Sequence, residues 1–572
     1  MQRSANHTDA SVKRNLRDNS EILRKKLGKL QSKKKFKYPA DNYEEDRYKL
    51  ANYAASFHKG LQHDANGLLL DTSNYRLMRN SILENNQQNL AGVALAANAV
   101  GKLVNPLAAN SAILVGIPQN SVRESFIPRL SSIANAIELL ELYSQQLTRD
   151  VSFDDYSINP ILQRMLDINH MNSADIISNL SYTSPINEPF TTKTLFRGVS
   201  DLEQVGPYIS QFLYLDVPMG AAVLKQKYKA PKSVSSATSR VEWGVSRNEL
   251  VLIQNTDLNN PALPPQTNPV DIEQKYIYSG RGLAEAVHND PAYQFFYQAS
   301  LIMAGLGIRQ NPGFPIYPNQ APFITNGGGP NIQCCIAEVT GLALKHSWYW
   351  KWAVSRKARP EAQSILVDIV KNNSSQNEQY GFHNVLLGNI IMDDVKIYNS
   401  TAPYNQPNSY TLSTTYREGS PLHPAWPSGH ATIAGAAVTV LKIFFDGSTQ
   451  WKSLAAVMSG KLSNGVAGPV EANPADNFDS LRNYTDTDSD DMTVNGELEK
   501  LASNVGIGRN WAGIHYRSDA IGGILLGETI AIKYMEDMLS TSVERNLDKS
   551  IPKISIRKFD GTTYTLIPTY TQ

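Results

Sequence analysis

Three separated segments of the chain combine cations, histidines and helix-start signals at spacings that suit the binding of an oxyanion. The middle segment reads Pro427-Ser428-Gly429-His430 and precedes an apolar run of small residues. Ser428 is placed to cap a helix, Gly429 allows a ligand close to the main chain, and a helix N-terminus carries partial positive charge. This pattern predicts an oxyanion site at which His430 titrates. Taken alone, the segment also fits a capped core helix whose histidine faces inward.

A second segment places a lysine and an arginine around a helix break. Lys351 lies in an aromatic stretch, and Arg359 precedes Pro360. Because proline disfavours helical geometry in the residue before it, one helix should end near Arg359 and the next should begin with Pro360. The planar fork of Arg359 and the compact charge of Lys351 both suit a tetrahedral oxyanion. An amphipathic helix with snorkelling cations is the alternative.

The third segment holds Arg509, Gly513, His515 and Asp519. Gly513 predicts a close approach of two chain segments just before a final helix. His515 and Asp519 are four residues apart, so we expect them on one helical face, where the carboxylate supports the imidazole or a nearby cation. The alternative is a capping histidine beside an arginine that forms a salt bridge.

The order and spacing of the three segments resemble those of the vanadium-dependent haloperoxidase and type 2 phosphatidic acid phosphatase superfamily. Seven residues separate Lys351 from Arg359, five separate Arg509 from His515, and three separate His515 from Asp519. The resemblance is strongest from residue 282 to residue 528. It implies a fold of two four-helix-bundle halves and a homo-oligomer, a dimer or a dodecamer.

Two further positions favour the algal type of bromoperoxidase over the phosphatases within this superfamily. The seven-residue spacing after Lys351 is that of the bromoperoxidases, and His423, seven positions before His430, matches an extra active-site histidine of theirs. Trp348 occupies the place at which red-algal relatives carry an arginine. The resemblance implies that Trp348 and His423 line the halide pocket, and it leaves the preference between bromide and chloride open.

The resemblance also implies an activity, a cofactor and roles for particular residues. Hydrogen peroxide would oxidise a halide (bromide, and also chloride or iodide) to a hypohalous-acid equivalent that halogenates small organic acceptors. Vanadate would be the cofactor, with His515 as the ligand to vanadium, His430 as general base, Lys351 and His423 as further catalytic groups, and Asp519 behind His515. The implied cofactor-binding residues are Lys351, Arg359, Ser428, Gly429, His430, Arg509 and His515.

Two rival functions fit parts of the same pattern. A soluble acid phosphatase would use the same pocket, with His515 forming a phospho-histidine and His430 protonating the leaving group. A non-catalytic helical scaffold would instead bind a partner through basic residues near the N-terminus. Those residues include the runs 24–26 and 33–37, which also fit a solvated arm or an oligomer contact.

Composition narrows the class of protein. The chain has 572 residues, 41% hydrophobic and 19% charged, with a net charge of +1, which indicates a globular protein without a protein-wide nucleic-acid surface. The only cysteines, Cys334 and Cys335, are adjacent, so no disulfide framework is expected. Neither a secretory signal nor an apolar run of about 18 residues is apparent, which predicts a soluble protein without a membrane span, cytoplasmic by default.

Apolar periodicity predicts a mostly α fold of helical bundles with irregular loops and few short strands. Long helices are expected over 84–104 and 128–147, and a strand-like piece over 249–254. The expected organisation is a polar, basic N-terminal arm (1–45), an N-terminal helical part with a loop layer (46–330), a vanadate-binding helical bundle (331–545) and a C-terminal tail (546–572).

An acidic stretch near the C-terminal part has the spacing of a calcium-binding loop. Asp486, Asp488, Asp490 and Glu497 stand at positions 1, 3, 5 and 12 of an EF-hand pattern, but Asp491 replaces the glycine needed at the turn. A solvated acidic loop is the favoured interpretation, and calcium binding is the alternative.

Overall fold

The computed structural model describes residues 18–26, 28–29, 43–122, 127–179, 189–198, 200–231, 240–265, 274–455, 457, 466 and 468–568. The helices, numbered in chain order, are α1 (Tyr43–Arg47), α2 (Thr72–Leu83), α3 (Gln87–Ala91), α4 (Ile133–Thr148), α5 (Pro160–Met165), α6 (Ala174–Ile177), α7 (Arg247–Gln254), α8 (Gly280–Ala286), α9 (Gln294–Gly305), α10 (Gly329–Trp348), α11 (Pro360–Asn372), α12 (Asn377–Tyr380), α13 (Asn384–Leu387), α14 (Ile391–Ser400), α15 (Gly429–Phe444), α16 (Val494–Trp511) and α17 (Arg517–Thr541).

Strands are short and few compared with the helices. The described residues contain three antiparallel two-stranded sheets, β1 (Val217–Met219) with β2 (Ala222–Leu224), β3 (Val470–Ala472) with β4 (Leu481–Asn483), and β5 (Ser555–Arg557) with β6 (Thr563–Thr565). Their registers pair Val217 with Leu224, Val470 with Asn483 and Ser555 with Thr565. The predicted mostly α fold class is confirmed.

Helix α15 lies at the centre of the C-terminal part. It packs most extensively against α17, and also against α10 and α16, and every residue of α15 except His430 is buried. Glycines allow the close approach of α15 and α17. A Cβ atom at Gly435 would lie 2.1 Å from the carbonyl oxygen of Ile524, and one at Gly527 would lie 2.2 Å from that of Thr432. The small residues of α15 therefore bring two backbones into contact and fix the helix whose start carries His430.

Two secondary-structure predictions were wrong, each because a local polar signal was overlooked. No long helix spans 84–104. Helix α2 ends just before this range, and Asn85 follows it with φ +52°. The short α3 begins after its N-cap Asn86, whose side chain accepts a hydrogen bond from the amide of Asn89. The strand expected over 249–254 is helix α7, capped by the Ser246 hydroxyl. The helix expected over 128–147 is confirmed as α4, which begins a few residues later, after its N-cap Ser132.

Part of the predicted basic arm lies outside the described residues, including the run 33–37. The proposed division into an arm, two helical parts and a tail stays a prediction. Among the described helices, none has the length and apolar character to cross a membrane.

Candidate active site

Lys351 reaches the site from a widened helical turn. Helix α10 continues directly into a π-helical segment, Tyr349–Ser355, which ends at Arg356 in the left-handed region (φ +41°). Segments of π-helix occur frequently at functional sites because the extra residue redirects a side chain. The Lys351 side chain is fully buried, and its Nζ donates to the carbonyl oxygens of Pro424 (2.7 Å) and Ala425 (2.9 Å). Lys351 is thereby held against the loop that leads to Ser428.

Arg359 links its own segment to the other two segments of the site. It is the N-cap of α11 in an extended conformation, as Pro360 predicts. Its Nε donates to the carbonyl of His423 (3.0 Å) and Nη2 to the Nδ1 of that histidine (3.0 Å). Its Nη1 donates to the carbonyl of Ile514 (2.9 Å) and to Nε2 of His515 (2.8 Å). The expected convergence of the segments around this guanidinium is therefore present.

The predicted helix start at Ser428 is also present. Its hydroxyl accepts a hydrogen bond from the amide of Ala431 (3.4 Å), and its own amide donates to the carbonyl of Asp519 (2.9 Å). Gly429 is the first residue of α15, and a Cβ atom there would find no neighbour closer than Leu344 Cδ2 at 3.8 Å. The protein's own packing does not demand glycine at this place, and the missing side chain lets a ligand approach the main chain closely at the helix start.

His430 is partly exposed and bound to a carboxylate. Its Nε2 donates to Asp290 Oδ1 at 2.9 Å, and its side chain is 28% exposed. Because an ionised carboxylate only accepts, Nε2 carries the proton and Nδ1 keeps its lone pair when the ring is neutral. Burial and the charge of Arg509 lower the pKa of His430, while Asp290 opposes that shift.

Arg509 extends from the last turn of α16. Its Nη1 donates to the carbonyl oxygen of Val287 (2.5 Å) and lies 3.4 Å from that of His288 and 3.5 Å from the Tyr416 hydroxyl. Its guanidinium carbon lies 5.3 Å from the centre of the Tyr416 ring. The Arg509 Nε is buried and has no hydrogen-bond partner among the described residues. A buried donor without an acceptor is costly, which indicates a place for an acceptor supplied from outside the chain.

His515 contacts Asp519 as predicted, but the two do not share a helical face. His515 precedes α17, whose N-cap is Tyr516, and Asp519 lies in the first turn of that helix. The contact forms because the Asp519 carboxylate folds back over the helix start, accepting from the amide of Tyr516 (3.1 Å) and from His515 Nδ1 (2.9 Å). Gly513 allows the preceding turn with φ +79°, where a Cβ atom would lie 2.6 Å from the carbonyl oxygen of Ser413.

The hydrogen bonds of His515 determine its tautomer. The guanidinium of Arg359 only donates, so Nε2 of His515 accepts from it and has a lone pair. The proton is then on Nδ1, where Asp519 accepts it. Burial, Arg359 and Lys351 lower the pKa of His515 well below its ordinary value, so the ring is neutral. A neutral imidazole with a carboxylate behind it is a typical arrangement for a metal ligand.

Trp348 and His423 lie side by side next to these cations. Their ring centres are 5.0 Å apart, and Trp348 Nε1 donates to the carbonyl oxygen of Val104 (3.1 Å). Burial, Lys351 and Arg359 lower the pKa of His423 well below its ordinary value, so this ring is neutral as well. The two residues assigned to a halide pocket are thus neighbours, and His423 is bound to Arg359 through its Nδ1.

Positive charge accumulates at the centre of the site. Lys351, Arg359 and Arg509 are all buried, and among the described residues none of them forms an ion pair with a carboxylate. Burial, followed by Arg359 itself, lowers the pKa of Lys351 well below its usual range, and burial lowers the pKa of Arg359 to about 10. Charges that destabilise one another in this way would be neutralised by a bound anion.

Several residues around the site escaped the sequence analysis. Asp290 holds His430, Tyr416 and His288 lie beside Arg509, and Lys357 pairs with Asp519 at 3.2 Å. The side chain of Lys357 also lies over the Tyr516 ring at 3.8 Å. The only sequence signal for Asp290 is an acidic residue directly before Pro291, which is too common a pattern to indicate function.

The acidic stretch makes contacts other than those of a calcium loop. Asp488 binds Lys193 (3.0 Å) and accepts from the Tyr484 hydroxyl (2.7 Å). Glu497 lies in α16, where its carboxylate binds Lys500 (2.6 Å) and accepts from the amide of Gln211 (2.8 Å). In the described part of the chain, no group of three or more His, Cys, Asp or Glu side chains is placed to hold a metal ion. Calcium binding stays an untested alternative without support from these contacts.

Similar known proteins identify the family. The profile described as the VCPO second helical-bundle domain matches residues 399–542. A vanadium-dependent bromoperoxidase of Ascophyllum nodosum is 30% identical over 508 residues, covering 86% of this chain and 84% of the relative. One from Corallina pilulifera is 27% identical over 577 residues, covering 90% and 91%.

A solved structure agrees with these relatives. The homohexameric second vanadate-dependent bromoperoxidase of Ascophyllum nodosum has a TM-score of 0.83 and 26% identity, covering 96% of this chain and 90% of that chain. The chain belongs to the vanadium-dependent haloperoxidase family. The resemblance predicted from the three segments is confirmed, and the relatives do not favour the phosphatase alternative.

Proposed function

We propose that this enzyme binds vanadate and uses hydrogen peroxide to oxidise bromide to a hypohalous-acid equivalent, which halogenates small organic acceptors. One observation carries the proposal: among the described residues, the three buried cations Lys351, Arg359 and Arg509 have no carboxylate partner, and the charge of each lowers the pKa of the nearby His515. Membership of the family supports the activity, and the bromoperoxidase names of the relatives support bromide as the halide.

The residues at the site fit a tetrahedral oxyanion. Lys351, Arg359 and Arg509 supply three positive charges, and the unpartnered Arg509 Nε supplies a free donor. Gly429 has no side chain to cover the first amides of α15, where the helix N-terminus also favours an anion, and the Ser428 hydroxyl lies there. We assign these five residues to the vanadate oxygens.

His515 is assigned as the ligand to vanadium. Its Nε2 lone pair faces the cation cluster and accepts a hydrogen bond from Arg359, which a bond to vanadium would replace, and Asp519 keeps the proton on Nδ1. Lys357 balances the Asp519 charge from the other side at 3.2 Å. This arrangement fixes both the tautomer and the orientation of the ring before a ligand binds.

His430 is assigned as the general base. Asp290 holds its Nε2–H, so Nδ1 remains free to take a proton from hydrogen peroxide. The lowered pKa keeps the ring neutral and able to accept that proton. When bound, vanadate supplies a Lewis-acidic centre that polarises the peroxide for attack by the halide. Lys351 and His423 contribute charge and hydrogen bonding, and Trp348 with His423 forms the halide side of the pocket.

We also propose that the enzyme is a homo-oligomer. The related structure from Ascophyllum nodosum is a homohexamer, whereas the sequence resemblance implied a dimer or a dodecamer. Light scattering on the purified protein distinguishes these states from a monomer.

The direct test compares two activities of the purified protein, with and without added vanadate. We expect bromination of monochlorodimedone that requires vanadate and peroxide, and no more than slow hydrolysis of para-nitrophenyl phosphate. His515→Ala should lose bromide oxidation and bind vanadate at least about a hundredfold more weakly, since it removes the metal ligand itself. Full bromide oxidation by this variant would refute the ligand assignment.

A second variant tests the division of roles between the histidines. His430→Ala should retain vanadate binding in equilibrium dialysis but lose about 100-fold or more in kcat, because general-base catalysis is removed. Equal losses in vanadate affinity and in peroxide activation would contradict the assignment. His383→Ala is the matched control, since His383 caps the distant helix α13.

A further inference from the structure

A short segment after α8 contacts both the anion-binding Arg509 and the proposed general base His430. The carbonyl oxygens of Val287 and His288 face Arg509 Nη1, at 2.5 and 3.4 Å. Two residues later, Asp290 accepts from His430 at 2.9 Å. One stretch of four residues, 287–290, therefore sets the position of an anion-binding cation and of the general base.

The side chain of His288 fastens this segment to the neighbouring loop. Its ring stacks on that of Tyr416, with the centres 3.6 Å apart and the planes inclined by 4°. Its Nε2 lies 2.6 Å from Glu418 Oε1, and its Nδ1 lies 3.6 Å from Glu285 Oε1. The Tyr416 hydroxyl donates to the carbonyl of Ala284 at 2.5 Å, so the loop is tied to α8 as well. We call His288, Glu285, Glu418 and Tyr416 the His288 clamp.

The histidine in this clamp carries a positive charge at neutral pH. Burial lowers the pKa of His288, but the contacts to Glu285 and Glu418 outweigh burial and raise this pKa to about 9. His288 follows the C-terminus of α8, an end of the helix that also favours a cation. Glu418 is itself held in place because its backbone carbonyl accepts from the buried Lys59 at 2.8 Å. The clamp thus joins two chain segments through a charged hydrogen bond and a ring stack.

We infer that His288 is a positioning residue for the proposed vanadate site, acting through its main chain on Arg509 and through Asp290 on His430. This inference rests on the proposed function, because it assigns the purpose of the clamp to oxyanion binding and proton transfer. We assign His288 itself no contact with vanadate, peroxide or halide. Weakening the clamp frees residues 287–290, so that both Arg509 and His430 lose a fixed partner.

The charge on His288 gives the clamp a pH dependence. The groups that face it are Glu285 from α8, Glu418 and Tyr416 from the adjoining loop, and Arg509 from α16. Because the folded-state pKa is raised, the stabilising contribution is complete below the ordinary histidine value. It is lost as the pH rises through about 9. Above that pH, the segment should hold Arg509 and His430 less tightly.

The test uses three full-length variants and orthovanadate as the probe. His288→Phe keeps a ring for Tyr416 and removes the charge, His288→Arg keeps a charge for the glutamates, and Glu418→Gln removes the partner charge. In equilibrium dialysis of the vanadate-free proteins near pH 8, His288→Phe and Glu418→Gln should bind orthovanadate about tenfold more weakly. His288→Arg should stay within a few-fold of wild type, and should keep its affinity at pH values above 9 at which wild type declines. Lys351 and Arg359 titrate in both proteins, so the difference between them reports on residue 288.

Controls separate the possible outcomes. His383→Phe, a histidine change away from the site, should bind orthovanadate as wild type does, and circular dichroism should show that each variant is folded. If wild type itself fails to bind orthovanadate, the proposed function is wrong. If wild type binds and His288→Phe binds equally well with unchanged kcat, the inference is wrong. It is also wrong if His288→Arg falls with His288→Phe while Glu418→Gln is unaffected.

Discussion

Two regions of this molecule bury cations equally deeply but neutralise them differently. In the helical framework, Lys442 lies 2.7 Å from Glu499, and Arg517 lies 2.9 Å from Glu141. All four of these side chains are 5% exposed or less. In the candidate active site, three similarly buried cations instead donate to carbonyl oxygens and to histidines. Those three cations are Lys351, Arg359 and Arg509.

The difference separates groups that stabilise the fold from groups prepared for a ligand. A buried charge is tolerated when an opposite charge accompanies it, and a cluster of like charges raises the free energy of the folded state. The framework meets that requirement within the chain. The site does not, so its electrostatic balance is completed only when an anion arrives. This is the physical reason to regard the cluster as an oxyanion site rather than as structural ion pairs.

The largest expected effect concerns a buried ion pair of the helical framework. Lys442→Met leaves Glu499 buried, and the partly exposed Arg557 (3.2 Å) is then its one charged partner in the described part of the chain. We expect the free energy of unfolding to fall by about 3–5 kcal/mol, as when one member of a buried ion pair is removed. Urea denaturation measures the change. A loss below about 1 kcal/mol would show that framework and site cations do not differ in this respect.

The matching change in the site should affect ligand binding rather than stability. Lys351→Met removes a buried cation that has no carboxylate partner among the described residues, which relieves repulsion with Arg359 but takes the Nζ donor away from the carbonyls of Pro424 and Ala425. The relieved repulsion stabilises the folded state and the lost hydrogen bonds destabilise it, each by about 1 kcal/mol. The unfolding free energy of the vanadate-free protein should therefore change little. Orthovanadate affinity should fall about 10–100-fold in equilibrium dialysis. Strong destabilisation without loss of affinity would make Lys351 a structural residue.

The local features of the three site segments could be predicted from the sequence because a few neighbouring residues fix each of them. Pro360 forces Arg359 into an extended N-cap conformation, and Ser428 starts the apolar helix α15, both as expected. Gly513 has the positive φ that a tight turn before α17 requires. Such signals depend on a few neighbouring residues, so they can be read without knowledge of the tertiary fold.

The partners that come from distant parts of the chain could not be predicted in this way. Asp290 reaches His430 across 140 positions of sequence, and no local pattern indicates that contact. His515 and Asp519 do meet, but through a helix-capping carboxylate rather than through one helical face. The π-helical turn that carries Lys351 was likewise not predicted from the sequence. Contacts of this kind are selected by the assembled fold, not by propensity.

A third prediction concerns proton uptake at the candidate active site, which calorimetry measures. Burial and the neighbouring Arg359 lower the pKa of Lys351 well below its usual range, so its charged form is disfavoured without an anion. A bound oxyanion favours the charged form, and binding should therefore take up protons at about pH 8. Titration of phosphate in buffers with different ionisation enthalpies measures this uptake. Lys351→Met should abolish it, whereas equal uptake by variant and wild type would assign it to another group.

The smallest expected effect lies at the edge of the cation cluster. Trp348 contacts His423 through its ring and the Val104 carbonyl through its indole nitrogen, and it donates to none of the groups assigned to vanadate. Trp348→Phe should therefore leave orthovanadate affinity unchanged and cost about 1 kcal/mol of stability for the lost hydrogen bond. The KM for bromide should change a few-fold, because the wall of the proposed halide pocket changes shape. Steady-state kinetics with bromide and chloride, run beside equilibrium dialysis, measure both quantities. If vanadate affinity falls as far as in Lys351→Met, Trp348 belongs to the anion site, and the separation between cofactor and halide sides is wrong.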